Sequence, residues 1–241
     1  MNDELPKGLG IEGIWSPVAI ISKSRKGKVS LLKRFIKSET KRDFIILESD
    51  GGQYKEILEW SRDIKHRTGR IIVYRYDEVD KFIETAEKTK NAYLIVDLTC
   101  VEDIYYGKMY EVGENYIRLR NWINSYFLNR MRKKRQRFIL VSRGLNEKML
   151  LGIDFPYLVL GRGSYWTKTL ACVLDRKRLS DYLKHNILRR IKATEFVGVE
   201  VRNGAFTFLG KGDVEVIKEM LEGKWRGKKI ISNKGVVKEV E

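Results

Sequence analysis

The strongest constraint on the fold is an alternation of short apolar runs with stretches of helical periodicity. Pro17 to Ile21 forms the first run, and Tyr93 to Asp97 is apolar along nearly its whole length, as in a strand buried on both faces. Between them, Val29, Leu32 and Phe35 recur at three-residue steps, which predicts an amphipathic helix. Strands that alternate with helices indicate a mainly parallel sheet with crossover helices. The predicted fold class is α/β.

The same patterns predict the remaining elements and a division of the chain. Further strands are predicted at Asp43 to Glu48, Ile71 to Tyr76, Phe138 to Ser142, Tyr157 to Leu160, Leu170 to Leu174, Phe196 to Val201 and Phe206 to Leu209. Further helices are predicted at Tyr54 to Ile64, Val79 to Ala86, Asn115 to Gln136 and Leu179 to Ile191. The C-terminal third is therefore β-rich, with Asn203-Gly204 as a hairpin turn. We expect a core domain over residues 1–210, and over 211–241 a C-terminal helix and basic tail that packs on the core or extends from it.

Charge points to a polyanionic partner. Lysine and arginine number 48 against 32 acidic residues, which gives a net charge of +16, and a field of this sign attracts nucleic acid. A heat-stable, charge-rich surface is the alternative. It explains the amount of charge but not the imbalance.

Other compositional features exclude whole classes of protein. At 43% hydrophobic residues the chain is neither disordered nor membrane-embedded, and its apolar runs are far shorter than the roughly 20 residues that span a bilayer. The acidic N-terminus does not resemble a signal peptide, so we expect a cytoplasmic protein. Cys100 and Cys172 have no metal-ligand spacing with His66 and His185, so no metal site is predicted from them.

The segment from Ser22 to Ser30 lies where a P-loop would read G-x-x-x-x-G-K-[ST]. Gly27 and Lys28 fit this pattern. Ser22 replaces the first glycine, Val29 replaces the magnesium-binding hydroxyl, and Ser30 is one position late, about 100° further round a helix. We predict a damaged nucleotide-binding loop with Gly27, Lys28 and Ser30 as its residues. The alternative is a lysine-rich loop with a chance Gly-Lys pair.

A run of motifs in the same order resembles the RadA and RadB recombinases of archaea and their RecA- and KaiC-like relatives. Leu94 to Asp97 has the form of a Walker B strand that ends in a carboxylate. The similar segments are Gly8 to Gly13 before the first strand, Ile46 to Gly52 (hIDTEGT in the family), Val96 to Thr99 (VDSLT), the long helix with Arg118, Arg120 and Asn121, Phe138 to Gly144 (VVVTNQV), and Gly204 to Thr207 in the closing hairpin. The resemblance runs from about Gly8 to Leu209 and implies a RecA-like three-layer core.

The resemblance also assigns roles. It places Asp97 in the Walker B position and Asp50 in place of the water-activating glutamate, both catalytic only if ATPase activity survives. Arg143 and Gly144 replace an Asn-Gln pair that senses nucleotide and DNA, and the segment that follows them is too short for a mobile DNA-binding loop. We therefore expect a paralogue with little or no ATPase activity and no cofactor. It would bind DNA, a recombinase or another RecA-like protein as an accessory in DNA repair or recombination, in a homo- or hetero-oligomer.

Three alternatives remain open. One is an active RadB- or KaiC-like ATPase that uses ATP and Mg²⁺. In it Lys28 would bind phosphate, and Asp97 and Asp50 would position the Mg²⁺ ion and the water. Another is a non-catalytic RecA-like scaffold subunit that binds RNA. The third is a nuclease that uses Asp43, Glu48 and Asp50, although the lysine expected two residues after a nuclease glutamate is replaced by Asp50.

Three basic or aromatic groups are candidates for binding nucleic acid. The end of the long helix could bind phosphates or simply complement the helix dipole, the loop after Asp97 could stack on bases or fold over the core, and the C-terminal segment could bind nucleic acid or dock its tryptophan on the domain. Their residues are, in that order, Arg130, Arg132, Lys133, Lys134, Arg135 and Arg137; Tyr105, Tyr106 and Lys108; and Lys224, Trp225, Arg226, Lys228 and Lys229.

Overall fold

A computed structural model describes a large part of the chain. The described residues are 17–22, 25–49, 52, 54, 57–59, 67–100, 113–131, 133–143, 155–161, 196–202, 205–211, 213–222, 229–233 and 236–240. The predicted strand at Leu170 to Leu174, the predicted helix at Leu179 to Ile191 and the predicted turn at Asn203-Gly204 lie outside them.

Strands and helices alternate through the N-terminal part of the chain, as predicted. The strands are β1 (Val18–Ile21), β2 (Asp43–Glu48), β3 (Ile71–Arg75), β4 (Ala92–Asp97), β5 (Arg137–Ser142), β6 (Tyr157–Gly161), β7 (Phe196–Arg202), β8 (Ala205–Lys211), β9 (Lys229–Asn233) and β10 (Val236–Val240). The helices are α1 (Arg25–Ser38), α2 (Val79–Lys88), α3 (Glu114–Asn129) and α4 (Val214–Leu221), with a 3₁₀ turn (Tyr76–Glu78) before α2.

The described strands form one sheet in the order β10-β9-β8-β7-β6-β1-β5-β4-β2-β3. Neighbours from β6 to β3 are parallel, and neighbours from β6 to β10 are antiparallel. This confirms the α/β class, the parallel core and the β-rich C-terminal part. The path from β1 leads towards β2 on one side, whereas β6 lies on the other side of β1, so β1 marks a switch in strand order.

Helices cover both faces of the parallel half. α1 buries Leu31, Leu32, Phe35 and Ile36, and these pack with alternate residues of the strands and with α4 in one core cluster. α2 contacts β2, β3 and α3. The connection from β1 to β2, which contains α1, moves towards the β3 edge of the sheet, whereas the connection from β3 to β4, which contains α2, moves away from it. Because both crossovers are right-handed, α1 and α2 lie on opposite faces of the sheet. Each fully buried Leu, Ile or Phe contributes roughly 1.5–3 kcal/mol.

The long helix differs from its prediction in length and at one position of its buried face. α3 ends at Asn129, and a turn follows in which Arg135 has a φ of 56°. The chain must turn back there to enter β5, and no residue pattern in this charge-rich stretch predicts the end of the helix. The helical spacing of Ile117, Trp122, Ile123 and Met131 predicts one buried stripe; Trp122, Ile123 and Met131 are buried, whereas Ile117 is 47% exposed. The buried stripe also contains Tyr116 and Leu119.

The C-terminal part contains strands that the charge pattern concealed. β9 and β10 extend the sheet beyond β8 where a basic tail was expected, while α4 packs against α1 and β1. The boundary at residue 210 stays a prediction. Within the described ranges, no helix has the length and apolar character needed to cross a bilayer.

Candidate functional site

Polar residues gather where four parallel strands end at one edge of the sheet. Ser22 follows β1, while Glu48, Asp97 and Ser142 are the last residues of β2, β4 and β5. The strands are in register here, because Ile21 pairs with Ser142 and Asp97 with Val141. All four polar residues are buried. In open α/β sheets, ligands bind outside the carboxyl ends of strands at the switch in strand order, and β1 occupies that place.

Lys28 supplies a buried positive charge at this edge. It lies in the first turns of α1, is 1% exposed, and donates a hydrogen bond from Nζ to the backbone carbonyl of Ser22. Gly27 beside it is also buried. A cation at a helix N-terminus opposes the helix dipole, whereas an anion is stabilised there by the dipole and by the first backbone N–H groups. An anion near Lys28 would therefore stabilise both the lysine and the helix.

The residues after Lys28 are placed as their spacing predicts. Val29 is half-buried and Ser30 is exposed. Two helical steps turn Ser30 about 200° away from Lys28. The participation of Ser30 in nucleotide binding stays a prediction.

Two carboxylates end neighbouring strands at the same edge of the sheet, with a tyrosine bonded to both. Leu47 pairs with Val96, so Glu48 and Asp97 end neighbouring strands, whose backbones are about 4.8 Å apart. The Tyr54 hydroxyl donates to Asp97 Oδ2 at 2.9 Å, and the Tyr54 backbone N–H donates to Glu48 Oε2 at 3.1 Å. Burial, followed by the charge of Asp97, raises the pKa of Tyr54 well above 10. The phenol is therefore a neutral hydrogen-bond donor.

The loops after β4, β2 and β5 are joined beside this cluster. The Thr99 backbone N–H donates to Asp97 Oδ1 at 2.8 Å, while the buried Thr99 Oγ1 has no hydrogen-bond partner among the described residues. The Cys100 N–H donates to Ser49 Oγ at 2.8 Å, and Arg143 Nη2 lies 3.8 Å from Cys100 Sγ. These contacts hold Arg143, at the end of β5, next to the loop that carries Asp97.

Ser22 is accommodated by a glycine on the neighbouring strand. A Cβ atom at Gly161 would lie 2.6 Å from Ser22 Oγ and 2.8 Å from Phe196 Cε1. The serine side chain thus fills the space that a side chain at Gly161 would need. Where the P-loop pattern has its first glycine this chain has Ser22, and a glycine, Gly161, lies opposite it on the neighbouring strand β6.

Comparison with known proteins agrees with this architecture. Neither a protein-family model nor a curated protein matches the chain. The genome packaging NTPase B204 from Sulfolobus turreted icosahedral virus 2, in complex with AMPPCP, is similar at a TM-score of 0.51 and 15% identity over 81% of this chain and 97% of that one. The pCW3 conjugation coupling protein TcpA with ATPgS is similar at 0.52 and 12% identity over 87% of this chain. The chain has a P-loop NTPase-like fold. It spans 63% of TcpA.

This fold supports the P-loop part of the predicted resemblance, and the kinship with RadB or KaiC stays a prediction. The residues present fit the ligands that a P-loop NTPase binds. Lys28 and the α1 N-terminus suit phosphate. Asp97, Glu48 and the unpartnered Thr99 Oγ1 offer oxygen ligands, and Mg²⁺ usually takes one or two carboxylates together with substrate phosphates and waters. Val29 supplies no hydroxyl, so Asp97 and Glu48 are the residues that would hold a metal ion.

The basic turn, which we define as residues 130, 131 and 133–135, lies at the opposite edge of the P-loop NTPase-like sheet. It precedes the amino end of β5, whereas Lys28 lies near the carboxyl ends. Arg130, Lys133 and Arg135 are exposed. Lys134 is half-buried and donates from Nζ to the Glu87 carbonyl. The two edges therefore present two separate charged sites.

Arg137, predicted to bind nucleic acid, lies in the interior. It is 5% exposed, its guanidinium lies 5.6 Å from the centre of the Tyr93 ring, and Nη2 is 3.5 Å from Glu222 Oε1. These surroundings are those of a structural residue. Binding of nucleic acid stays a prediction for the exposed residues of the same basic group, Arg130, Lys133 and Arg135.

Several other predicted site residues lie outside the described residues. They are Asp50, Tyr105, Tyr106, Lys108, Arg132, Lys224, Trp225, Arg226 and Lys228. Lys229 begins β9. Their predicted roles stay predictions.

The nuclease alternative needed Asp43 and Glu48 in one metal site. They are the first and last residues of β2, and at about 3.3 Å per residue their Cα atoms are roughly 16 Å apart. Asp43 instead pairs with Arg70 at 2.7 Å. In the described ranges no group of three or more His, Cys, Asp or Glu residues is placed to hold a metal ion. A nuclease site that holds one metal ion with both Asp43 and Glu48 is therefore wrong.

Sequence reasoning missed the roles of Tyr54 and Thr99. Tyr54 was assigned to a helical apolar stripe, and its buried ring fits that pattern. Its bond to Asp97 spans 43 residues, and no local pattern predicts such a contact. Glu48 was noticed only as part of a motif and of the nuclease alternative, although its place at a strand end was the available signal.

Proposed function

We propose that this protein binds a nucleoside triphosphate with Mg²⁺ at the carboxyl edge of the sheet, hydrolyses it slowly at most, and acts on DNA. The observation that carries the proposal is the burial of Lys28, Asp97 and Glu48 at one edge, with exposures of 1%, 2% and 5%. Buried ionisable groups gather at functional sites, and these three lie at the carboxyl ends of the strands beside the switch in strand order, where open α/β sheets bind ligands.

Each residue has a role in this proposal. Lys28 and the first N–H groups of α1 bind the phosphates, and Asp97 and Glu48 hold the metal. Bound Mg²⁺ would neutralise charge on the phosphates. Hydrolysis is slow because Val29 replaces the metal-binding hydroxyl and because Tyr54 already bonds Asp97.

Nucleotide binding is tested by calorimetry with ATP and MgCl₂. We expect binding by the wild type, at least a tenfold loss in Lys28→Ala, and no loss in Lys37→Ala, which removes an exposed lysine from the same helix. Turnover should lie well below the range of about 1–1,000 per second typical of enzymes. No ATP binding by the wild type would refute the site, and fast turnover that depends on Lys28 would refute slow hydrolysis.

DNA is proposed as the macromolecular partner on the basis of charge. The net charge is +16, and Arg130, Lys133 and Arg135 are exposed in the basic turn. The two similar structures are those of a genome packaging NTPase and a conjugation coupling protein, so DNA transfer joins an accessory role in repair or recombination as a candidate process.

The DNA proposal is tested by fluorescence anisotropy across a series of salt concentrations. Arg130→Glu combined with Lys133→Glu should reduce the slope of log K against log salt by about 2, since each lost phosphate contact reduces it by about 1. Arg34→Glu combined with Lys81→Glu makes the same charge change on α1 and α2 and should leave the slope nearly unchanged. Equal effects of the two pairs would mean that binding follows net charge alone. Competition of RNA against bound DNA distinguishes this proposal from the alternative of a scaffold subunit that binds RNA.

A further inference from the structure

Tyr54 bridges the two carboxylates that the proposed function assigns to the metal. Its hydroxyl bonds to Asp97 Oδ2 and its backbone N–H bonds to Glu48 Oε2. The side chain is completely buried. One tyrosine thus makes a hydrogen bond to the last residue of β2 and another to the last residue of β4.

Each of these bonds takes up one of the carboxylate lone pairs that a cation could use. Asp97 Oδ1 already accepts the Thr99 N–H, and Oδ2 accepts the phenol. Each carboxylate oxygen has two lone pairs, and a divalent cation that binds Oδ2 through the lone pair facing Tyr54 displaces or bends the phenol bond. The phenol stabilises the carboxylate without supplying positive charge, so it restrains Asp97 without replacing the metal.

We infer that Tyr54 is a positioning residue that competes with the divalent cation for Asp97, so that metal binding and release of the phenol bond are coupled. The inference rests on the proposed function, since it takes Asp97 as the metal carboxylate. Hydrogen bonds to charged groups are strong enough to change an equilibrium by roughly 10- to 100-fold. Removal of the hydroxyl should therefore tighten metal binding by about tenfold or more.

The test is a Mn²⁺ titration that measures free Mn²⁺ by electron paramagnetic resonance, with Mn²⁺ alone and with AMPPCP present. Tyr54→Phe should bind Mn²⁺ about tenfold or more tightly than the wild type. The matched control is Tyr74→Phe, which also deletes one bonded phenol hydroxyl, here 2.6 Å from Thr85 Oγ1, and should leave Mn²⁺ affinity unchanged.

Unchanged or weaker Mn²⁺ binding by a folded Tyr54→Phe variant would overturn the inference, because the loss of a purely structural hydroxyl would alter stability without raising the affinity for Mn²⁺. If that variant does not fold, wild-type protein supplies the second measurement. Saturating Mg²⁺ should produce a near-ultraviolet tyrosine difference spectrum that Asp97→Asn abolishes, and its absence in the wild type would also overturn the inference. Failure of the proposed function is recognised separately, as a wild type that binds no AMPPCP.

Discussion

Replacement of Gly161 by alanine tests whether Ser22 and Gly161 are fitted to each other. The added Cβ would lie 2.6 Å from Ser22 Oγ, 2.7 Å from Ser22 Cβ and 2.8 Å from Phe196 Cε1. All three distances are too short for non-bonded atoms, and both neighbours are buried. Overpacking of this kind costs about 1–3 kcal/mol. For a chain of this size that corresponds to a fall of roughly 2–12 °C in Tm.

The cost should be partly relieved when Ser22 is also shortened. Ser22→Gly removes two of the three close contacts and leaves the one with Phe196. Urea unfolding of the wild type, the two single variants and the double variant gives a double-mutant cycle, in which contacting residues usually show coupling of about 0.5–3 kcal/mol. The double variant also restores the first glycine of the P-loop pattern, so its ATP affinity can be compared with that of the wild type.

Gly52→Ala provides the control. A Cβ at Gly52 would meet nothing within 4 Å, and a glycine-to-alanine change without strain stabilises by about 0.4–1 kcal/mol. The reasoning is refuted if Gly161→Ala is as stable as the wild type, or if Ser22→Gly and Gly161→Ala are additive.

Three further predictions concern other parts of the core. The pKa of Tyr54 is raised in the folded protein, so its contribution to stability is fully present below about pH 10 and is lost as pH rises from there towards the folded pKa. In urea unfolding between about pH 9 and 11, the free energy of unfolding should therefore fall less for Tyr54→Phe than for the wild type. Arg137→Ala should lower stability by about 1–3 kcal/mol and leave the salt dependence of DNA binding unchanged, as anisotropy would show. Trp122→Phe removes the 3.0 Å bond to Glu87 and should cost about 0.5–1.5 kcal/mol in thermal unfolding, without altering ATP affinity.

The parallel half of the fold was predictable because its signals are local. Strands such as β1 and β4 are short apolar runs, and α1 shows its buried face at helical spacing. The C-terminal strands β9 and β10 were missed because each is five residues long and they follow on from the lysine- and arginine-rich segment 224–229, whose composition indicated a basic tail. The end of α3 was misplaced for a related reason. Its sequence continues with good helix formers, and the need to enter β5 ends it.

The sequence by itself determined the α/β class, the place of Lys28 after β1, and the displacement of Ser30 from the position of a metal-binding hydroxyl. These follow from periodicity and from residue spacing, which act over a few residues. Only the tertiary structure brought Tyr54 to Asp97, Ser22 to Gly161 and Arg137 into the interior, since each contact joins segments that are distant in the chain and meet through strand order and register. Lys28 is therefore one of several buried polar residues at the carboxyl edge of the sheet, and the carboxylates among them can be tested for metal binding.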